Sequence, residues 1–281
     1  METSNLLLIV LGVLTVLLCV ARWKMVPKEG KQQNKSAEMA GSLTIGTREV
    51  QEDCFCCQEN RNFYMLALAD GMGEPYGGRI AARTAIQTVA DLFESYNALD
   101  NPMYFFRKSF HTANKEILKV LDNGAKGTAS LSSAIVYQNQ LFYGVVGNVK
   151  VAVYRKGTLV ELSAGHTIAR LAREKFTKGT LTRAEAVELL ENQRLYHYLG
   201  QDGYHDLELF DTPVRLILGD IVVLMTDGIY DLLTASEMEE VLGRNQSCQQ
   251  MAYAITELVN TNPQEEKDNA GIVLLRVGGV Q

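Results

Sequence analysis

The sequence has few of the residues that build disulfide frameworks and zinc sites. Only five cysteines and four histidines occur among 281 residues, and no set of them has the spacing of zinc ligands. The cysteines are odd in number and lack paired spacing, which argues against a disulfide-stabilised secreted domain. Cys54, Cys56 and Cys57 lie in a strand-like stretch, and we interpret them as buried reduced thiols, typical of a reducing cytosol.

An excess of positive charge is also missing. The net charge is −6. The sequence therefore lacks the basic surface typical of nucleic-acid-binding domains, and no nucleic-acid partner is expected. Beyond the N-terminal few dozen residues, about 235 residues remain, which is enough for one domain with a well-buried core.

One long apolar run stands apart near the N-terminus. Residues 6–21 contain no charged side chain, and apolar residues continue to position 26. We therefore predict a transmembrane anchor at 6–26, preceded by a short extracytoplasmic segment at 1–5. A cleaved signal peptide is the alternative interpretation, but no positive charge precedes the run and no cleavage site follows it.

The charges that follow this run predict its orientation. Lysine and arginine lie on its C-terminal side, and the positive-inside rule then puts the rest of the chain in the cytoplasm. The protein is thus expected to be a single-pass protein of the cell membrane. Polar residues 27–42 are expected to form a linker to a cytoplasmic domain at 43–281.

Strands and helices are predicted in blocks along this domain. Hairpin strands separated by pairs of amphipathic helices favour an α+β fold over a regular alternation of strand and helix. The predicted strands are 43–45, 54–57, 63–69, 130–137, 140–146, 150–155, 158–162, 214–218, 221–226 and 272–277, and the predicted helices are 77–96, 104–121, 168–175, 182–190, 236–242 and 248–261.

Acidic residues lie at the ends of several of these strands. A carboxylate at a strand end can point into a cleft while the strand fixes its position. Several carboxylates in one place would repel one another unless a cation neutralised them, and oxygen ligands suit a hard ion such as Mg²⁺ or Mn²⁺. The pattern predicts a metal-dependent hydrolase. The four acidic motifs are Glu52-Asp53, Asp70-Gly71, Asp227-Gly228 and Asp268-Asn269.

The same motifs, in their order, resemble a known family over about residues 43–277. The sequence is similar to the bacterial branch of the metal-dependent Ser/Thr protein phosphatases, the PPM or type-2C family. This resemblance implies a four-layer α-β-β-α sandwich of two antiparallel sheets, with the metals at one end. The motifs that carry it are Arg48-x-x-Gln51-Glu52-Asp53, Ala69-Asp70-Gly71-Met72-Gly73, Gly127-Thr128, Gly147-Asn148-Val149-Lys150, Thr226-Asp227-Gly228 and Lys267-Asp268-Asn269.

The resemblance also implies a role for each acidic residue. Two Mn²⁺ or Mg²⁺ ions would share a water that attacks the phosphomonoester. Asp70 would bridge the two ions, and the Gly71 carbonyl would add a ligand. Asp227 and Asp268 would hold the first ion, and Glu52 and Asp53 would serve the second. Arg48 would grip the phosphate of the substrate with its bidentate guanidinium.

Two departures from the family pattern bear on the site. Asn148 stands where relatives usually carry aspartate at a third, weaker metal position, and a neutral amide is a poorer ligand there. The usual Asp-His-Ser of the family appears here as Gly165-His166-Thr167. His166 is either a polar site residue or, more often for a lone histidine in a loop, a structural one. Residues 169–200 correspond to a variable flap that lies over the cleft in such enzymes.

These features predict a membrane-anchored, metal-dependent protein Ser/Thr phosphatase with a cytoplasmic catalytic domain. Its expected partners are proteins phosphorylated on Ser or Thr, a cognate kinase, and the membrane that holds its N-terminal helix. The loss of the third-site carboxylate favours an alternative, a catalytically weak phosphatase-fold module that signals or binds phosphoproteins. A small-molecule phosphatase using the same site is a third hypothesis.

Overall fold

The structure is a computed structural model that describes residues 37–60, 63–74, 76–95, 100–121, 126–190 and 194–278. The predicted anchor at 6–26 and most of the predicted linker lie outside the described residues. Within the ranges above, no helix combines the length and the apolar character that crossing a membrane requires.

The described residues form eleven strands in two antiparallel sheets. The strands are β1 (Ala37–Thr44), β2 (Cys54–Asn60), β3 (Phe63–Glu74), β4 (Lys126–Tyr137), β5 (Gln140–Val146), β6 (Lys150–Arg155), β7 (Thr158–Glu161), β8 (Glu208–Leu209), β9 (Val214–Arg215), β10 (Ile221–Met225) and β11 (Ala270–Val277). The first sheet has the order β1-β11-β10-β6-β7. The second has the order β2-β3-β4-β5-β8, with β9 paired to β5.

Seven helices are found in the same part of the chain. They are α1 (Gly77–Ser95), α2 (Pro102–Val120), α3 (Ile168–Thr177), α4 (Arg183–Leu190), α5 (Asp227–Tyr230), α6 (Ala235–Leu242) and α7 (Cys248–Thr261). Polar side chains cap several of them. Asn101 Oδ1 accepts a 2.9 Å hydrogen bond from Tyr104 N at the start of α2, where Pro102 occupies the first turn. Ser247 and Gln250 form a reciprocal capping box that opens α7.

The side chains of β10 show how the layers stack. Val222 and Leu224 belong to the core that contains residues of both sheets. Ile221, Val223 and Met225 belong to a second core, formed with α6 and α7. Such alternation is the period of two expected of a strand that is buried on both faces.

The helices cover the outer faces of the two sheets. Helix α1 packs on β3 and β4 of the second sheet, and α7 packs on β1 and β11 of the first. Helix α2 packs against α1 on the same side. The layers are therefore helix, sheet, sheet and helix, and the predicted α+β fold with two antiparallel sheets is confirmed.

Three sequence-based boundaries are wrong. Strand β1 begins at Ala37, so the predicted linker ends six residues too late. Residues 37–42 contain no β-branched side chain, but all eight residues of the strand pair with β11. Strand β3 continues past Ala69 to Glu74, because its glycine-containing end pairs with the start of β4. The predicted strand 214–218 is reduced to the two residues of β9, and the equally short β8 was not predicted.

Candidate active site

The acidic motifs meet at one end of the sandwich, although they come from distant parts of the chain. The loop between β1 and β2 supplies Glu52, β3 supplies Asp70, the first residue of α5 supplies Asp227, and the loop before β11 supplies Asp268. These four side chains line one cleft of about 760 Å³, together with Arg48 and Gly71. Tertiary folding thus brings together residues that lie more than 200 positions apart.

Close backbone packing fixes the floor of this cleft at Gly71. A Cβ atom at position 71 would collide with the backbone carbonyl of Gly78, at the start of α1. Only glycine therefore fits here, which explains the Asp-Gly pair in a strand. The strand positions Asp70 and Gly71 opposite Ser130 and Ala129 of β4.

Asp53 lies behind the cleft and does not line it. Its side chain is only 5% exposed. Thr226 donates a 3.0 Å hydrogen bond from Oγ1 to Asp53 Oδ2, whereas Asp53 Oδ1 has no hydrogen-bond partner among the described residues. Burial raises the pKa of Asp53 to about 8, and repulsion from Asp227 adds to this effect.

Two carboxylates that line the cleft, Asp70 and Asp227, also have raised pKa values. Burial raises the pKa of Asp70 well above its usual range, and repulsion from Asp227 and Asp53 raises it further. Burial likewise raises the pKa of Asp227 to about 6, with Asp231 and Asp268 contributing. Asp53, Asp70 and Asp227 therefore hold their protons more tightly than ordinary carboxylic acids do. A bound divalent cation would stabilise their ionised forms.

Arg48 pairs with one carboxylate at the edge of this cluster, Asp268. Its Nε donates to Asp268 Oδ1 at 3.0 Å and its Nη2 donates to Asp268 Oδ2 at 2.9 Å. The pair is open to solvent, with side-chain exposures of 60% and 52%. The predicted phosphate-binding arginine thus contacts a predicted metal ligand.

This pairing matters for whether the site suits a metal. In the arrangement described, no three His, Cys, Asp or Glu side chains form a complete metal cage, within the residues the structure covers. Asp268 is turned to Arg48, and Asp227 accepts from an amide. The raised pKa values of Asp70 and Asp227, which both line the cleft, nevertheless match a site for hard divalent ions. The donor set fits the predicted cofactor once Asp268 leaves Arg48.

Asn148, the predicted third-metal position, has both ends of its amide engaged. Its Nδ2 donates to Asp227 Oδ2 at 2.9 Å, and its Oδ1 accepts from Ser130 Oγ at 2.7 Å. The Tyr230 hydroxyl donates to the Asn148 carbonyl at 3.0 Å. The residue therefore orients Asp227 here, and its amide oxygen is directed to Ser130.

His166 supports the same loop from behind. It is buried, and its Nδ1 accepts a hydrogen bond of 3.2 Å from the backbone N–H of Gly147. Its own backbone N–H donates to Gly147 O at 2.7 Å. Burial lowers the pKa of His166, so the ring is neutral at pH 7. These contacts favour the interpretation of His166 as a structural residue.

Asn269 is a site residue whose role the sequence analysis missed. Its side chain is buried, and its Oδ1 accepts a 2.7 Å hydrogen bond from Glu52 N. Its Nδ2 donates to Ile45 O at 2.9 Å. The amide thereby ties the first acidic motif to the last one. The sequence feature that indicates this role is the position of Asn269 directly after Asp268.

Comparison of the sequence with models of known families identifies the family of this chain. The sequence model described as protein phosphatase 2C matches residues 40–262. The chain belongs to the protein phosphatase 2C family. As a member of this family, it is a Ser/Thr protein phosphatase.

Curated relatives of this phosphatase carry the same activity in their names. The serine/threonine phosphatase stp of Listeria monocytogenes is 25% identical over 236 residues, which is 81% of this chain and 90% of the relative. Protein phosphatase PhpP of Streptococcus pneumoniae is 24% identical over 182 residues, covering 63% of this chain and 72% of PhpP.

Solved protein phosphatase structures share the fold. The serine/threonine phosphatase of S. agalactiae superposes with a TM-score of 0.73 at 22% identity, over 86% of this chain and 99% of that one. The catalytic domain of PstP, in complex with two manganese ions, gives a TM-score of 0.68 at 20% identity, over 85% and 97% of the two chains. At these identities the superpositions show the fold.

Proposed function

We propose that this protein phosphatase 2C hydrolyses phosphoserine and phosphothreonine in proteins by using two Mn²⁺ or Mg²⁺ ions. The observation that carries the proposal is the cleft in which Glu52, Asp70, Asp227 and Asp268 converge beside Arg48. A binding module would have no use for carboxyl groups that raise one another's pKa. The PstP structure with two manganese ions supports the choice of metal.

The residues of the cleft divide into metal ligands and a phosphate anchor. Asp70, the Gly71 carbonyl, Asp227 and Asp268 would hold the ions, and Glu52 would contact the second ion from the β1–β2 loop. When bound, the ions supply charge neutralisation for the phosphoryl oxygens and an activated water. Asp53 lies in the layer behind, where it orients Thr226 next to Asp227.

Arg48 has two partners in this proposal. In the structure described here, its guanidinium binds the Asp268 carboxylate through two hydrogen bonds. A phosphoryl group offers the same pair of anionic oxygens and fits the same fork. Cations that occupy the acidic cluster would draw Asp268 away, which would leave Arg48 to hold the substrate phosphate.

Turnover of a phosphothreonine peptide by the full-length protein tests the proposal. Activity should require added Mn²⁺ or Mg²⁺ and should be abolished by EDTA. Asp91→Asn, the same change on an exposed surface of α1, serves as a matched control for Asp70→Asn. Metal-independent turnover, or turnover that survives Asp70→Asn, would contradict it.

We also propose that residues 6–26 anchor the enzyme in the cell membrane, with its catalytic domain in the cytoplasm. The support is the uncharged apolar run and the lysines that follow it. The phosphatase should stay with the membrane fraction after alkaline carbonate washing, and deletion of residues 1–26 should release it. A mature protein that begins beyond residue 21 would indicate a cleaved signal instead.

A further inference from the structure

A second groove lies on the outer surface, outside the cleft already described. One wall is a stripe of helix α2 with positions 104, 107, 108, 111, 112 and 115, which share one face at helical spacing. The other wall is the segment around Tyr204 and His205. The groove has a volume of about 470 Å³, which is ample for one phosphorylated side chain and its neighbours.

The groove is cationic, in a protein whose net charge is negative. Arg107, Lys108 and Lys115 line it with His111, and no carboxylate is among its described lining residues. Neither Arg107 nor Lys115 forms an ion pair with any residue that the structure describes. The nearby carboxylate of Asp206 faces His197, with Oδ2 at 3.6 Å from Nε2.

Tyr204 lines the groove beside this basic wall. Its side chain is only 7% exposed, and its hydroxyl finds no hydrogen-bond partner among the described residues. The ring packs against His111, with 5.5 Å between ring centroids. A phosphoryl group accepts from a guanidinium and ammonium groups at once.

The position of the groove links it to the catalytic cleft. Asn114, which precedes Lys115, accepts hydrogen bonds through Oδ1 from Gly200 N at 2.7 Å and Gln201 N at 3.2 Å. The adjacent Leu199 bridges to Ala129, and Ala129 pairs with Gly71 in the cleft. Two strand spacings, about 10 Å in all, therefore separate Gly71 from Leu199.

We propose that this groove binds a second phosphoryl group on the protein substrate, while the first occupies the catalytic cleft. The inference rests on the proposed phosphatase function and deepens it, because it selects multiply phosphorylated segments as preferred substrates. An extended peptide spans about 3.3 Å per residue, so phosphothreonines four to eight residues apart lie about 13 to 26 Å from each other, which is the range of separations that the experiment samples.

Paired peptides test the proposal. Each pair has one sequence with either one phosphothreonine or two, at separations of four, six and eight residues. For the full-length enzyme, the second phosphate should lower KM about tenfold at the best spacing, well beyond the statistical factor of about two, with kcat unchanged. Arg107→Gln combined with Lys115→Gln should remove this advantage and leave hydrolysis of the singly phosphorylated peptide unaltered.

Lys119→Gln is the matched control, because Lys119 lies one turn beyond Lys115 on the same helix and pairs with Glu116 instead. This variant should keep the full advantage. All three enzymes should hydrolyse p-nitrophenyl phosphate equally, since that substrate reaches only the cleft. A second phosphate that gives no KM advantage at any spacing, or an advantage that survives the double substitution, would overturn the proposal.

A readout without catalysis separates this proposal from the proposed function. In EDTA, the doubly phosphorylated peptide should protect Lys115 from amine acetylation several-fold more than Lys119, as measured by mass spectrometry. Such protection in a protein that hydrolyses neither peptide would support the groove and contradict the phosphatase proposal. Protection by inorganic phosphate with no effect of the second phosphothreonine would assign the groove to free phosphate and overturn substrate docking.

Discussion

Asn148 donates a hydrogen bond of 2.9 Å from Nδ2 to Asp227 Oδ2, while Ser130 holds the other end of the same amide. The amide fixes the orientation of a carboxylate that we propose as a metal ligand, and it lowers the pKa that burial and neighbouring charges raise. Residues that orient ligands in this way commonly change metal affinity when they are removed.

Asn148→Ala should therefore weaken metal binding more than it weakens the fold. We expect the Mn²⁺ concentration for half-maximal activity to rise about tenfold, with KM for substrate little changed. Asn148→Asp adds a carboxylate beside Asp227, and it should tighten a further ion if a third site operates here. Metal titrations of activity measure both effects, with Asn245→Ala as a control on an exposed loop. Identical titrations for all variants would assign Asn148 a purely structural role.

Asp70→Asn should remove both activity and metal binding. The side chain lies among four other carboxyl groups, and in the proposed arrangement it would contact both ions. We expect turnover to fall about a thousandfold or more, and calorimetry should detect weaker Mn²⁺ binding. Asp227→Asn and Asp268→Asn should each lose activity, and their double mutant should lose little more, since the residues act as one unit. Additive losses would indicate independent roles.

Arg48→Gln should separate phosphate binding from metal binding. The substitution removes the guanidinium that would grip the substrate, so KM for phosphopeptides should rise about tenfold. It also frees Asp268, so calorimetry at pH 7 should show Mn²⁺ binding that is unchanged or tighter. Arg48→Lys keeps the charge without the fork and should recover only part of the affinity. Arg244→Gln, which breaks another exposed arginine–carboxylate pair, is the control. Weaker Mn²⁺ binding by Arg48→Gln would contradict the competition.

Without metal, the enzyme should lose stability as the pH rises from 5 to 8. The pKa of Asp53 is about 8 in the folded chain, against an ordinary value of 3.8. Between these values the folded chain holds a proton that the unfolded chain has released, so a higher pH favours unfolding. The loss should be of the order of a few kcal/mol and complete above pH 8.

Urea unfolding in EDTA at several pH values measures this dependence. Asp53→Asn removes the titrating group, so its free energy of unfolding should vary less with pH than that of the wild type. Added Mn²⁺ should restore stability at pH 8, because ligand binding to the folded state stabilises it. Stability that rises with pH in EDTA would contradict the raised pKa of this cluster.

The sequence alone determined the chemistry and the class of this protein. Apolar runs such as Ile221–Met225 and amphipathic helices such as Cys248–Thr261 are local patterns, and the structure has both elements at those residues. The ordered acidic motifs identified the family because their spacing along the chain is itself the pattern. Strand bounds were less well predicted where cross-strand pairing decides them, as in β1, whose residues have weak strand propensity.

Only the tertiary structure decided which site residues line the cleft and which lie behind it. Glu52 and Asp53 are neighbours in sequence, yet one lines the cleft and the other is buried behind it, because the chain turns its side chains to opposite sides. The pairing of Arg48 with Asp268 and the clamp made by Asn269 join positions more than 200 residues apart. Hydrogen bonds across such distances depend on the packing of two sheets, and no local pattern encodes them.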